Sequence, residues 1–201
     1  IISAGIECAK KAAENFKNCF VAFDMGPTGK LLEPLGELKF EDAVSIFADN
    51  VKIAEKCGAD LVIIETMNDA YETKAAVLAV KENSDLPVFV TNVFDETSKL
   101  MTGASPLAMS ALLEGLGVDA VGMNCSLGPD KLMPTIDEYL KYSSLPLIVN
   151  PNAGLPSVEN GKTVYNIDAD EFSDLMRIIA QKGACILGGC CGTTPEYIKA
   201  T

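Results

Sequence analysis

The sequence predicts an α/β protein with a parallel sheet, of the (β/α)8 TIM-barrel type, and three observations support this. Short runs rich in Val and Ile alternate with longer amphipathic stretches, which is typical of right-handed βαβ units. Polar residues and glycines follow every predicted strand, as expected when all βα loops build one face of a barrel. No GxGxxG motif follows the first strand, so an open dinucleotide-binding sheet is the weaker alternative.

The predicted strands are apolar runs of the kind that parallel sheets bury on both faces. They comprise residues 19–24, 60–66, 87–94, 119–125, 146–152 and 184–191. The predicted helices comprise residues 3–17, 41–57, 70–83, 105–116, 130–141 and 168–182, and a further helix begins at 195. Gly58 and Gly117 end helices before the next strand. Asp130 after Pro129, and Pro195 after Thr194, indicate helix starts.

The six βα units are two fewer than a closed (β/α)8 barrel contains. We therefore expect residues 1–201 to form a single, partial barrel domain that lacks the first two strands. A parallel sheet without two of its strands exposes apolar edges. We expect the isolated segment to be unstable or to oligomerise, and a stable monomer in size-exclusion chromatography would contradict this.

Composition excludes several classes of function. The net charge of −12 argues against nucleic acid or an anionic membrane surface as a partner. No signal peptide begins the sequence, and no apolar run reaches the roughly 20 residues of a membrane span. The seven cysteines are an odd number and four of them lie singly, which favours a reducing, cytoplasmic location over a secreted disulfide scaffold. The absence of histidine excludes His-based catalytic dyads and zinc sites.

Three cysteines end two of the predicted strands. Cys125 ends one, and the adjacent pair Cys190–Cys191 ends the last. In a barrel these two strand ends are two positions apart, so the three sulfurs can converge at its mouth. The neighbouring glycines, such as Gly192, permit the unusual backbone that aims two successive side chains inward. Buried filler and a disulfide between Cys190 and Cys191 are the alternatives.

Three thiolates suit Zn²⁺, which prefers tetrahedral sulfur coordination. A site with three protein ligands leaves one position open, as catalytic zinc sites do. Such a centre is electron-rich, so it is better suited to holding a substrate thiol as a nucleophilic thiolate than to activating water. The pattern therefore points to alkyl transfer onto sulfur.

The motifs "GMNCSLGP", "NPNAGLPSVENGKTVY" and "GGCCGTTPEYI" together resemble the homocysteine S-methyltransferase family. "DMGPTGKLLEPLG" narrows the resemblance to the homocysteine-binding domains of cobalamin-dependent methionine synthases. The resemblance covers essentially the whole chain and implies a (β/α)8 barrel. It also implies zinc held by Cys125, Cys190 and Cys191, and methyl transfer to homocysteine that yields methionine.

The resemblance further implies methylcobalamin as the methyl donor, recharged from 5-methyltetrahydrofolate on separate cobalamin-binding and folate-binding domains or subunits. A homocysteine methyltransferase that uses S-methylmethionine or betaine is an alternative, and a non-catalytic zinc-binding barrel is another. The family's opening strand, with its Asp-Gly and Gly-Thr motif for the substrate carboxylate, is missing from this sequence. We therefore expect the isolated segment to be inactive.

Four further residues are candidates for substrate binding. Glu65 matches the acidic residue that the family places near the substrate amino group, although an acidic N-cap for the next helix is an alternative. Asn124 precedes the first cysteine and would bond substrate, a metal ligand or a turn. Asp24 and Asn150 also end strands, where they would either line the site or bond a loop.

Overall fold

The computed structural model describes residues 1–159 and 161–201 of the chain. Its centre is a six-stranded parallel sheet in the order β1-β2-β3-β4-β5-β8, beside a separate antiparallel pair, β6-β7. The strands are β1 (Ala22–Met25), β2 (Leu61–Met67), β3 (Val88–Asn92), β4 (Ala120–Asn124), β5 (Leu147–Asn150), β6 (Pro156–Glu159), β7 (Lys162–Tyr165) and β8 (Ile186–Leu187). The helices are α1 (Ile2–Ala13), α2 (Phe40–Lys56), α3 (Ala70–Asn83), α4 (Pro106–Gly115), α5 (Met133–Tyr142), α6 (Ala169–Lys182) and α7 (Pro195–Ala200).

The sheet confirms the predicted fold class, because its six parallel strands are ordered as they follow one another along the chain, as in a (β/α)8 barrel. Each predicted hydrophobic run overlaps a strand of the main sheet, and each predicted helix overlaps an observed one. None of the helices in the described ranges combines the length and the apolarity needed to cross a membrane.

Several element boundaries differ from the sequence prediction, and those of α5, α1 and β8 are three of them. Helix α5 begins at Met133 rather than 130, because Lys131 and Leu132 close a turn onto the carbonyl of Gly128. Helix α1 ends at Ala13, four residues before the predicted end. Strand β8 has only two residues, since glycines follow it, yet the chain continues alongside β5.

The antiparallel pair β6-β7 was not predicted. It joins residues 156–159 to residues 162–165, within a stretch interpreted from its sequence only as turn-rich. The Asn-Gly dipeptide at 160–161 is the hairpin signal that could have indicated it. Both strands are largely exposed, so they lack the apolar run that identified the six strands of the main sheet.

The two faces of the main sheet have different chemistry. One face is apolar and lies buried in the core, through residues such as Val62, Ile64, Val90, Val121 and Val149. Residues in register across parallel strands share a face, and the pairing aligns Asn124 with Asn150. Alternation therefore places Asn124 and Asn150 on the opposite face from these core residues.

A glycine sets the spacing of the two strands that lead to the site. Gly122 lies in β4, two residues before Asn124, and pairs with Ile148 of β5. A Cβ at Gly122 would overlap the Ile148 carbonyl group. The close approach of β4 and β5 therefore requires glycine at this position.

Candidate metal centre

The three cysteines at the ends of β4 and β8 lie together. The sulfur atoms of Cys125, Cys190 and Cys191 all lie within 4.8 Å of one another, and Cys125 Sγ is 3.6 Å from Cys191 Sγ. Two thiolates bound tetrahedrally to one zinc ion are about 3.8 Å apart, given zinc–sulfur bonds near 2.3 Å. The sulfur geometry therefore fits a zinc ion with small adjustments.

Residues 150–153, the last residue of β5 and the three that follow it, support both parts of this cluster. The amide of Cys125 donates to the carbonyl of Asn150 over 3.0 Å, and the amide of Cys190 donates to the carbonyl of Pro151 over 2.8 Å. The two chain segments that carry the sulfurs are thus bonded to consecutive residues of a third segment.

Cys191 is fixed by the same segment. Its amide donates to Oδ1 of Asn152 over 3.0 Å, and its carbonyl accepts from the amide of Ala153 over 2.9 Å. The hydroxyl of Thr193 closes the turn by donating to the carbonyl of Cys190 over 2.7 Å. The backbone of the cysteine pair is therefore held independently of its side chains.

The backbone at the first cysteine is left-handed. Cys125 has φ 59° and Ser126 has φ 60°, a region that is unfavourable for residues with a side chain. The bonds to the following segment compensate for this conformation. Strained residues of this kind cluster at functional sites, and here they turn the chain out of β4 directly at a candidate ligand.

Charge favours a cation among the sulfurs. Hydrogen bonds from Cys190, the amide of Ser126, Cys191 and Asn152 outweigh burial and lower the pKa of Cys125 to about 5. The pKa values of Cys190 and Cys191 are raised, first because their thiols donate to Cys125. The chain by itself thus stabilises one thiolate, and a divalent cation would stabilise all three.

Asn124 uses its whole amide within the protein. Its Oδ1 accepts from the amide of Thr66 over 2.9 Å and from the hydroxyl of Thr91 over 2.9 Å. Its Nδ2 donates to the hydroxyl of Thr66 over 2.8 Å and lies 3.9 Å from the sulfur of Cys190. Asn124 is 1 % exposed, so these bonds are shielded from water. Through its Nδ2, the side chain connects the sulfur of Cys190 to Thr66 near the end of β2.

The end of β2 carries Glu65. The pairing of β2 with β3 is irregular between Ile64 and Met67, and Thr66 there has φ 61°. Asp69, not Glu65, caps helix α3, which removes the N-cap interpretation of Glu65. The two hydrogen bonds between Asn124 and Thr66 therefore fix the backbone beside Glu65.

Glu65 lies near Cys125 and near a second carboxylate, Asp24. Burial, the charge of Asp24 and the charge of Cys125 raise the pKa of Glu65, in that order, and burial raises the pKa of Asp24. Neither carboxylate forms an ion pair within the part of the chain that the structure describes. An added positive group between them would relieve this like-charge repulsion.

Asn150 lies between the two sulfur-bearing segments. Its carbonyl accepts from Cys125, and its side-chain amide fills the space beside Gly188, where a Cβ would come within 2.6 Å of Asn150 Oδ1. Asn150 therefore packs β5 against the end of β8, in addition to its place at the edge of the site.

Sequence reasoning missed two residues of the site. Asn152 is 4 % exposed and interacts with both Cys191 and Cys125, whereas its "NPNAG" context suggested only a turn. The ring of Tyr165, in the unpredicted hairpin, packs against Gly192, the residue after Cys191. Only the Asn-Gly signal for the hairpin could have suggested a residue there, and not which one.

Comparison with known proteins identifies relatives over the whole chain. Residues 1–201 match the profile of the family described as homocysteine S-methyltransferase. Methionine synthase of Mycobacterium leprae is 34% identical over 186 residues, which are 90% of this chain and 15% of that protein. Methionine synthase of Mycobacterium tuberculosis is 30% identical over 205 residues, 97% of this chain and 17% of that protein. The chain thus spans about one sixth of the length of these curated relatives.

Solved structures agree with the fold. The apo form of the homocysteine methyltransferase MmuM from Escherichia coli superimposes with a TM-score of 0.82 at 25% identity, over 99% of this chain and 71% of that chain. The metallated form of the same enzyme superimposes with a TM-score of 0.81 at 25% identity, over 99% of this chain and 68% of that chain.

We predict that Asn124→Ala lowers the free energy of unfolding by about 3 kcal/mol. The amide of Thr66 and the hydroxyl of Thr91 would both lose a buried partner, at roughly 1–3 kcal/mol each. Chemical denaturation of the metal-free protein measures the loss. Asn83→Ala is the matched control, because it removes one bond, from Nδ2 to the carbonyl of Ala79. Equal losses of unfolding free energy in the two variants would show that the bonds from Thr66 and Thr91 to Asn124 stabilise the fold no more than a single bond does.

Proposed function

The chain belongs to the homocysteine S-methyltransferase family, and we propose that it supports transfer of a methyl group to the thiol of homocysteine, which yields methionine. The observation that carries this proposal is the three-sulfur cluster at the ends of β4 and β8. The family match covers the whole chain. Residues 1–201 would form the homocysteine-binding barrel domain, or a part of it.

Cys125, Cys190 and Cys191 would hold a zinc ion. The separation of their sulfurs and the accumulated negative charge both suit that ion. Zinc bound there would lower the pKa of the homocysteine thiol and keep it as a nucleophilic thiolate. The chain's own residues position the sulfurs, since the bonds from residues 150–153 fix the backbone of all three.

Glu65 and Asp24 would bind the amino group of homocysteine. Glu65 is partly desolvated and lies near both Asp24 and Cys125, and a substrate ammonium would supply the missing cation. Asn124 would orient Glu65 and the sulfur of Cys190 relative to each other, so its contribution to substrate binding is indirect. Asn150 would line the same edge while it holds Cys125.

Methylcobalamin, recharged from 5-methyltetrahydrofolate, is the proposed methyl donor, carried by cobalamin-binding and folate-binding domains or subunits. The similarity to two methionine synthases that are much longer than this chain supports it. A location in the cytoplasm would keep the cysteines reduced for zinc.

A second candidate is a homocysteine methyltransferase that uses a simple donor such as S-methylmethionine or betaine. The similarity to MmuM favours it, because this chain covers 71% of that single enzyme chain. Methionine formation from homocysteine with each donor supplied alone distinguishes the two candidates.

We predict that Cys191→Ala abolishes stoichiometric zinc binding, because two thiolates are left to hold the ion. Wild-type protein should bind one zinc per chain, measured by elemental analysis after dialysis, and homocysteine should alter the zinc X-ray absorption spectrum. Cys185→Ala is the control, since Cys185 is an exposed free cysteine just before β8. A Cys191→Ala variant that retains one zinc and still binds homocysteine would refute the site.

We predict that Glu65→Gln weakens homocysteine binding about tenfold, as expected for the loss of a hydrogen bond between charged groups. Binding of 4-mercaptobutyrate, which has the thiol but lacks the amino group, should stay unchanged. Isothermal titration calorimetry of the zinc-loaded protein measures both. Glu96→Gln changes an exposed glutamate and serves as the control. An equal effect on both ligands would show that Glu65 does not bind the amino group.

A further inference from the structure

Glu72 is a buried carboxylate that bonds a segment distant in sequence. It lies in the first turn of α3 and is 2 % exposed. Its Oε1 accepts from the amide of Thr28 over 2.7 Å and from the hydroxyl of Thr28 over 2.6 Å. The Thr28 hydroxyl also accepts from the amide of Lys30 over 3.3 Å, so its own proton is directed at the carboxylate. These bonds join the loop after β1 to the helix after β2.

Helix α3 does not need Glu72 as its cap. Asp69 caps the helix, because its Oδ1 accepts from the amide of Tyr71 over 3.1 Å. An acidic residue three positions after the cap often bonds back to the amide of the cap residue. Among the described residues, both side-chain hydrogen bonds of Glu72 go to Thr28 instead. Because a buried charge is costly unless it is hydrogen-bonded, Thr28 is the partner that Glu72 requires.

The two joined segments carry the carboxylates proposed to bind the substrate amino group. Strand β1 pairs with β2 as far as Met25 and Ile64, which lie in the core. Asp24 pairs with Ile63, and Glu65 follows two residues later. Since successive side chains of a strand alternate between its faces, Asp24 and Glu65 share the face opposite the core.

Two contacts hold the end of β1 beside β2 beyond the last pair of the ladder. Gly26 lies against the chain at Glu65, since a Cβ at Gly26 would be 3.9 Å from the Glu65 carbonyl oxygen. Thr28 is then bound by Glu72. Strand β1 has a partner on only one side in the described sheet, and Asp24 is exposed. The position of Asp24 therefore depends on its backbone, and the Glu72 bonds fix the chain that follows it.

We propose that Glu72 is a positioning residue for the substrate amino group, because by holding Thr28 it keeps Asp24 beside Glu65. The inference rests on the proposed role of Asp24 and Glu65 in binding homocysteine. Like charges on neighbouring strands repel each other, and the hydrogen bonds of Glu72 resist the separation of the two strand ends. An ammonium then contacts both carboxylates at once.

The test measures the binding of homocysteine and of 4-mercaptobutyrate to the zinc-loaded protein by isothermal titration calorimetry. Glu72→Met removes the acceptor and keeps a side chain of similar length. We expect homocysteine to bind about fivefold more weakly, less than the tenfold loss predicted for Glu65→Gln, because Asp24 is displaced and not removed. Binding of 4-mercaptobutyrate, which lacks the amino group, should stay unchanged. Glu72→Gln keeps an acceptor oxygen for both bonds, so it should bind both ligands as wild type does.

A pair of loop variants tests the other end of the connection. Thr28→Val removes the hydroxyl and keeps the amide, so homocysteine should bind about threefold more weakly, as expected for one lost hydrogen bond. Thr28→Ser keeps both donors and should behave as wild type. Thr28 is half-buried in a loop, so this pair decides the role of Glu72 if Glu72→Met does not fold.

Glu114→Met is the matched control. Oε1 of Glu114 accepts from the hydroxyl of Ser143 over 2.8 Å and from the amide of Ser144 over 2.7 Å, as Glu72 accepts from a hydroxyl and an amide. These residues lie before β4 and β5 begin, at the end of the sheet opposite the sulfur cluster. Glu114→Met should lower the melting temperature without changing the affinity for either ligand.

The outcomes separate this inference from the proposed function. Unchanged homocysteine binding in Glu72→Met and Thr28→Val, alongside a selective loss in Glu65→Gln, overturns the role of Glu72 and leaves the proposed function standing. Equal weakening of both ligands indicates a general loss of structure, and a loss in Glu72→Gln equal to that in Glu72→Met shows that the bonds are not the cause. Either result also overturns the role. Wild-type protein that binds no zinc overturns the proposed function, and this inference with it.

Discussion

The hydrogen bonds made by residues 150–153 are the constraint on which the site depends. Parallel strands carry no direct covalent link at their ends, so β4 and β8 need an intermediary to bring their loops to one point. Residues 150–153, at the end of β5, provide it, because Asn150 accepts a hydrogen bond from Cys125 and Pro151 accepts one from Cys190. The last residue of this segment, Ala153, also accepts a hydrogen bond from the amide of Ile167, just after the β6-β7 hairpin. Three loops at the site therefore share one support.

The site concentrates acidic groups in a small volume. Three thiols lie within 4.8 Å, with two carboxylates whose pKa values are raised nearby. Without a bound cation, these groups disfavour one another's ionisation, and only the thiolate of Cys125 is stabilised. The site suits two cations, a metal ion among the sulfurs and an ammonium between Glu65 and Asp24. An amino acid with a thiol, bound at both ends, matches that arrangement.

Much of the site could be predicted from the sequence because strand ends are recognisable. Cys125, Cys190, Glu65 and Asn124 each end an apolar run, and the carboxyl ends of parallel strands meet at one edge of the sheet. Asn152 and Tyr165 could not be assigned in this way. They lie beyond β5 and in an exposed hairpin, where no burial pattern marks which side chains face the site.

The sequence by itself determined the fold class, the order of the strands and the residue type available for a metal site, because periodicity and the absence of histidine are local and compositional properties. Only the tertiary structure decided the function of each polar side chain. Asn124 and Asn150 look equivalent along the chain and pair in register. Yet the amide of Asn124 bonds the end of β2, whereas that of Asn150 packs against Gly188. That difference arises from which segment lies opposite each side chain, and the packing of strands distant in sequence determines it.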